Sequence, residues 1–441
     1  MKQRICIVGK VPPLQGGVSR LTLETARRLA QGSYEVHIVT NAEETECFFK
    51  QRWHPNDEDY FCRLKTEGVF VHNLNRLDEK SHIPFSPCYE TRMCGRIIEI
   101  VREFECRVIV GWYLQPYGVA AALAAQFTSR PYILMHAGSD LAYLAEHPDL
   151  NSVYRHILKD AAVVIHSPKP QVKEHFTRLE VPETRLSACS GIADISALIK
   201  RVEEDARTGL ETLNFERFYR ELGAESPIVG RENLHMNLMT LEKCPQILCA
   251  GKISPSKNYQ TLFLALEELA RRGFKFHVIQ TLIGREDDIQ EYLTSVNKLR
   301  NVRNRLTIIP PISPWRLQAL MKRVDVGVYL EGGFSMDFHT SGLPMEFLAS
   351  STALLISREG VNQGVLRGVL RNGLNAKIIE DPSNVAELMA TIEDLLTDPE
   401  GLAEMKQLGK MTINQLNDKV REERELPLIS EIITDFVESI D

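Results

Sequence analysis

Short runs of apolar and β-branched residues alternate with segments whose apolar residues recur at helical spacing, and the alternation holds on both sides of one charged interruption. On the N-terminal side the runs are Ile5–Val8, Val36–Val39, Val108–Gly111, Tyr132–Met135 and Ala161–Ser167. On the C-terminal side they are Gln246–Ala250, Phe274–Leu282, Leu306–Ile309, Val326–Leu330 and Ala353–Ile356. Helical segments between successive runs impose crossover connections, so the strands pair in parallel and the helices cover both faces of each sheet. The interruption, from about Asp194 to Cys244, carries Leu210, Leu213, Phe218 and Leu222 among dense charges and shows no strand alternation.

A chain of 441 residues exceeds what one core normally serves. The expected organisation is α/β with four parts: an N-terminal domain over 1–194, a helical insertion or linker over 195–245 and a second α/β domain over 246–425. The fourth, 426–441, is a C-terminal helix expected to return to the first domain. Asn41 to Pro87 reads as an irregular excursion, with a strand restored at Val69–Val71.

Charge and cysteine usage exclude several function classes. The net charge of −7 gives no basic footprint for nucleic acid. No apolar run is long enough to span a bilayer, and the opening MKQRICIVGK reads as a first strand, so the expectation is a cytoplasmic protein. No basic amphipathic helix stands out, which leaves peripheral membrane contact to the nature of the acceptor. The nine cysteines are scattered without a CxxC pair, which fits reduced thiols and offers no zinc site.

Candidate ligand-binding residues cluster where strands run into helices. After the first strand, Gly16 and Gly17 precede a helix whose N-terminus favours an anion such as a diphosphate. The loop lacks GxGxxG, which argues against a bound dinucleotide. His136, Gly138, Ser139 and Asp140 follow the strand Tyr132–Met135 at the edge where α/β sheets bind ligands, although Asp140 also fits a helix N-cap. Lys252 and Lys257 flank the turn after Gln246–Ala250 and suit a polyphosphate; two solvated surface lysines are the plainer alternative. In Ser341–Ser357, Gly342 and Leu343 open a helix whose first turn carries Glu346, a carboxylate placed to hold ribose hydroxyls; an ordinary solvent-facing glutamate is the plainer alternative.

Taken in order, GGVSRLTLETARRLA, HAGSDL, GKISPSKNYQTL, VDVGVYL and LPMEFLASSTALLIS resemble the GT-B glycosyltransferases of the family 4 type. The resemblance implies two Rossmann-like domains facing a central cleft and transfer with retention, without a required metal or other cofactor. It implies a nucleotide-sugar co-substrate, UDP- or GDP-linked, and a carbohydrate, lipid-linked or small-molecule acceptor. Gly16 and Gly17 then match amides facing the donor diphosphate, and His136 a contact to the donor sugar. Lys252, where the family has arginine, and Lys257 match the diphosphate cations, and Glu346 the ribose-binding second glutamate of a Glu-x7-Glu motif. Phe338 stands in place of the first glutamate, with Glu331, Asp337 and His339 as candidates to replace it. Oligomeric state is not legible. The alternative reading is a catalytically altered GT-B protein that binds a nucleotide sugar in a regulatory role.

Overall fold

The computed structural model describes residues 2–42, 49–51, 58–74, 89–190, 199, 244–309, 311–333, 341–422 and 426–440. The expected insertion over 195–245 lies outside these residues apart from Ile199, Cys244 and Pro245, and so do Asp337 and His339. The chain forms two compact units. One comprises Met1–Glu46, Pro55–Ile192 and Arg424–Asp441; the other comprises Cys47–His54 and Ala193–Glu423.

The first unit holds a seven-stranded sheet of β1 (Gln3–Val8), β2 (Tyr34–Thr40), β3 (Val69–Asn73), β4 (Val108–Trp112), β5 (Tyr132–Met135), β6 (Val163–His166) and β7 (Leu186–Ala188). Their order is β3-β2-β1-β4-β5-β6-β7, and every neighbouring pair is parallel. Ile5, Ile7, Val36, Ile38, Val108 and Val110 are all buried, as strands covered on both faces require. The helix Gly17–Gln31 packs Leu21, Ala26 and Leu29 onto this sheet.

The helix Ile429–Ser439 belongs to the same unit, with Ile432, Ile433 and Val437 inside its core. Two elements of this unit depart from the sequence reading: the short strand β7 was not among the expected runs, and Asn41 to Pro87 is not irregular throughout, because Glu58–Thr66 is helical. Its signal was weak, since Leu64 is the one large apolar side chain there that the structure shows buried, amid charged residues.

The second unit holds a six-stranded sheet of β8 (Gln246–Cys249), β9 (His277–Thr281), β10 (Leu306–Ile309), β11 (Val326–Tyr329), β12 (Ala353–Ser357) and β13 (Lys377–Ile379). The order is β10-β9-β8-β11-β12-β13, again all parallel. The crossover helices Tyr259–Arg271 and Glu286–Asn297 bury Leu262, Leu266, Leu269, Ile289 and Val296 against it.

Each sheet is thus a doubly wound Rossmann-like layer. Strand order reverses between β1 and β4 in one and between β8 and β11 in the other. Loops leaving the carboxyl ends of such a strand pair diverge to opposite faces and open a crevice there. The residues that follow Val8, Trp112, Cys249 and Tyr329 therefore occupy the natural ligand positions.

Candidate functional site

In the first unit the loop after β1 ends at Gly16, which caps the helix Gly17–Gln31 with φ +127°, a region few side chains tolerate. A Cβ at Gly16 or Gly17 would meet nothing within 4 Å, and no side chain caps this helix end. Its first-turn amides are therefore left without a capping side chain, the condition under which a helix N-terminus receives an anion.

Across the same crevice Tyr113 follows β4 with φ +80°, an uncommon backbone for an aromatic residue. Its hydroxyl shares a hydrogen bond of 2.6 Å with Ser139 Oγ, and Lys10 Nζ lies 4.5 Å from its ring centroid. Neither Lys10 nor Tyr113 was singled out from the sequence. Their pairing becomes visible only once β1 and β4 are adjacent.

His136 and Asp140 occupy the loop after β5. Asp140 is fully buried, and its two oxygens accept the backbone N–H groups of Ala137 (3.0 and 3.2 Å), Leu141 (2.9 Å) and Leu114 (2.8 Å). The cap position belongs to Gly138, and Asp140 lies one residue inside the short helix Ser139–Ala142. The Asp140 carboxylate is thus committed to backbone amides of two loops. Its connection to the site is through the loop it shapes, not through a free oxygen for a ligand.

His136 Nε2 accepts the Ser167 amide at a long 3.5 Å, while its Nδ1 is buried with no partner among the described residues. Phe176 packs edge-on against the ring. Desolvation pushes the imidazole down to about 4, against the pull of Asp140, so the ring is neutral at pH 7. With Nε2 accepting, Nδ1 carries the hydrogen, and an unpartnered buried donor is held at the strand end.

In the second unit the loop after β8 carries both lysines, and they differ. Lys252 is exposed, with Nζ 5.4 Å from the centroid of the Phe49 ring. Lys257 is not a solvated surface residue. Its Nζ donates to Glu331 Oε1 at 2.6 Å, with side-chain exposures of 13% and 1%, and lies 4.4 Å from the centroid of the Tyr329 ring. Tyr329 donates its hydroxyl to the other Glu331 oxygen. Burial lowers the Lys257 pKa, Glu331 raises it, and the nearby Lys252 charge lowers it again.

The pair spans the β8–β11 reversal, so a charged tether crosses the crevice of this sheet where Lys10 and Tyr113 cross that of the other. Of the three candidates for the absent glutamate, Glu331 is the one the described residues include, and its carboxylate is already occupied on both oxygens.

Glu346 lies in the first turn of the helix Leu343–Ala349 and is 6% exposed, which removes the reading of an ordinary surface glutamate. Gly342 precedes that helix and its carbonyl accepts the Glu346 amide; Leu343 N–H approaches Ser341 Oγ at 3.4 Å. The helix is fixed by Phe347, whose ring lies over Gly327 of β11 so closely that any Cβ at 327 would overlap it. Among the described residues no group of three or more His, Cys, Asp or Glu side chains is arranged to hold a metal ion, and no helix is long and apolar enough to cross a membrane.

Two doubly wound parallel sheets with crevices of this kind are the GT-B architecture, and known structures share it across nearly the whole chain. A glycosyltransferase from Rickettsia africae superposes with TM-score 0.56 at 15% identity, covering 96% of this chain and 97% of its own. Anabaena HepE, solved with UDP-glucose, gives 0.57 at 12% identity over 95% and 98%. Sucrose-phosphate synthase from Thermosynechococcus elongatus gives 0.57 at 14% over 100% and 99%. No curated protein matches the sequence. Residues 16–189 match the glycosyl transferase 4-like domain, which begins at the glycine pair and ends just after β7. The chain thus carries a segment similar to that domain within a GT-B fold.

Proposed function

We propose that the protein is a retaining hexosyltransferase, moving a sugar from a nucleoside-diphosphate sugar, UDP- or GDP-linked, to a hydroxyl of a carbohydrate, lipid-linked or small-molecule acceptor. The observation that carries this reading is the set of groups at the β8–β11 reversal: an exposed Lys252, a half-buried Lys257 and the buried carboxylate of Glu346 on the helix that follows β11. Cations suit a diphosphate and a buried carboxylate suits a ribose diol. HepE, whose fold this chain shares, was solved with UDP-glucose, which supports the same class of donor.

In the proposed reaction the bond from the sugar C1 to the diphosphate oxygen breaks, and a bond from C1 to the acceptor oxygen forms on the same face. The acceptor proton passes to a diphosphate oxygen, so no separate base is needed. Lys252, Lys257 and the amides after Gly16 stabilise the charge that grows on the leaving diphosphate, an electrostatic contribution without a required metal. The Nδ1 hydrogen of His136 is a donor for a hydroxyl of the transferred sugar, and Gly342 and Leu343 place Glu346 against the ribose. A cytoplasmic location and contact with a membrane-borne acceptor both fit this chemistry.

The test is turnover against a panel of UDP-, GDP- and ADP-sugars, with Lys252→Ala as the probing variant because the exposed side chain costs little stability. Loss of one charge-stabilising group predicts roughly a 10²-fold fall in kcat/KM. Wild-type turnover by the variant would remove Lys252 from the diphosphate site, and no transfer from any donor would remove the enzymatic reading.

A further inference from the structure

Glu331 follows β11 and Lys257 follows β8, 74 residues apart in sequence, yet they meet at 2.6 Å across the strand reversal. Around them the backbone is fastened repeatedly. The Glu331 carbonyl accepts Ser357 Oγ–H, the Gly332 amide donates to Ser256 O at 2.9 Å, and Asn258 Nδ2 donates to Leu330 O at 2.8 Å. The two loops are therefore tied to each other at two points besides the Lys257–Glu331 pair, which restricts where Lys257 can sit. An ammonium has three N–H donors. One goes to Glu331, and the aromatic face of Tyr329 lies alongside; no other side chain or carbonyl among the described residues receives the remaining two.

We infer that Glu331 is a positioning residue, which holds Lys257 charged and aims its two remaining N–H donors at a diphosphate oxygen without itself touching the sugar. The inference rests on the proposed reading of this crevice as the donor site. A buried lysine without a counter-charge tends to shed its proton, and a point charge on a flexible stem is poorly aimed. The Glu331 carboxylate remedies both. Tyr329 occupies the second carboxylate oxygen and so fixes the carboxylate plane. The titratable groups facing Lys257 are Glu331, Tyr329 and Lys252, with Tyr259 beyond Gly251; Glu331 is the one that favours the charged form at neutral pH. A glutamate serving the sugar directly would need an open oxygen, and burial to 1% with both oxygens engaged leaves none facing solvent.

Glu331→Gln keeps the shape and removes the charge. UDP and GDP affinities of the full chain would be measured by calorimetry between pH 6.5 and 9.5 for the wild type, for Glu331→Gln and for Glu331→Gln combined with Lys257→Arg. The expected result is an alkaline loss of affinity in Glu331→Gln whose midpoint lies about one pH unit or more below that of the wild type. The guanidinium of the double variant stays charged and restores a flat profile.

A Glu331→Gln profile parallel to the wild type, whether lowered uniformly or unchanged, would overturn the inference. Nitrogen-15 NMR of the lysine ammonium, assigned by its absence in Lys257→Arg, reads the same titration without ligand. A Lys257 titration that does not move on Glu331→Gln, in a chain whose wild type binds UDP or GDP, overturns this inference alone. A wild type that binds neither nucleotide overturns the donor reading on which it stands.

Discussion

Replacing Asp140 separates a ligand-binding carboxylate from one that builds the loop. Its oxygens accept three different backbone N–H groups at 2.8–3.2 Å in a fully buried setting. Hydrogen bonds to a charged acceptor contribute about 1.5–3 kcal/mol each, so the sum for three is nominally about 4.5–9 kcal/mol. The bonds share one side chain and the loops can relax, which brings the expected cost of Asp140→Ala to about 3–5 kcal/mol. That is a large share of the roughly 5–15 kcal/mol that keeps a typical domain folded.

Asp140→Asn retains one acceptor oxygen and turns an N–H₂ toward an amide that had been accepted, and should cost about 2–3 kcal/mol. Hydrogen exchange followed by mass spectrometry on peptides covering Leu114, Ala137 and Leu141 reads the loss where it occurs, and a urea midpoint reads its size. Unchanged protection at those amides in Asp140→Asn, together with a stability within about 0.5 kcal/mol of wild type, would refute the structural assignment and return Asp140 to the ligand.

The remaining predictions concern packing and pH. Gly327→Ala pushes a methyl group into the Phe347 ring and should destabilise by about 1–3 kcal/mol while weakening nucleotide affinity through displaced Glu346; an affinity equal to wild type would uncouple that helix from the site. His277, buried and bonded to Thr307 Oγ1 at 2.7 Å, is pushed down to about 4 by desolvation, and His72 likewise to about 4 by burial and the neighbouring His37. A depressed histidine pKa means the unfolded chain binds the proton more readily. The contribution is therefore complete above pH 6.5 and is lost as the pH falls toward 4, at up to about 1.4 kcal/mol per pH unit for each ring. Denaturant midpoints across that window should steepen with acid, and His277→Gln should reduce the slope by about that amount; an identical slope in the variant would contradict the assignment.

Much of the frame was legible because it depends on local pattern. The runs around Ile5–Val8, Gln246–Ala250 and Ala353–Ile356 are strands within a residue or two of their expected limits, since a strand buried on both faces must be continuously apolar. Candidate loops were legible for the same reason: a parallel sheet sends its ligand loops from strand carboxyl ends.

What the sequence hid is what the fold joins. Lys257 and Glu331 were each noticed, yet nothing local says that they pair. Asp140 reads as a cap because Leu114, 26 residues earlier, is invisible as its partner. Tyr329 looks like one more apolar strand residue, although its hydroxyl holds Glu331. Helix Glu58–Thr66 was missed because its sequence mixes Asp59, Arg63 and Lys65 among its apolar residues and shows no clear helical stripe.

The helix Ile429–Ser439 gives the first unit a dependence on the order of synthesis. Its Ile432, Ile433 and Val437 fill the same core as Ile5, Leu29 and Val110, yet they leave the ribosome after the whole second unit. At the usual ~5–20 residues per second, the 240 residues between Ala188 and Ile429 impose a wait of about 12–48 s. Through that interval the face of Gly17–Gln31 that will receive the helix is uncovered in the nascent chain. A gene fragment stopping at Ile192 would leave it uncovered permanently, so expression of the first unit alone calls for a fusion that supplies Arg424–Asp441.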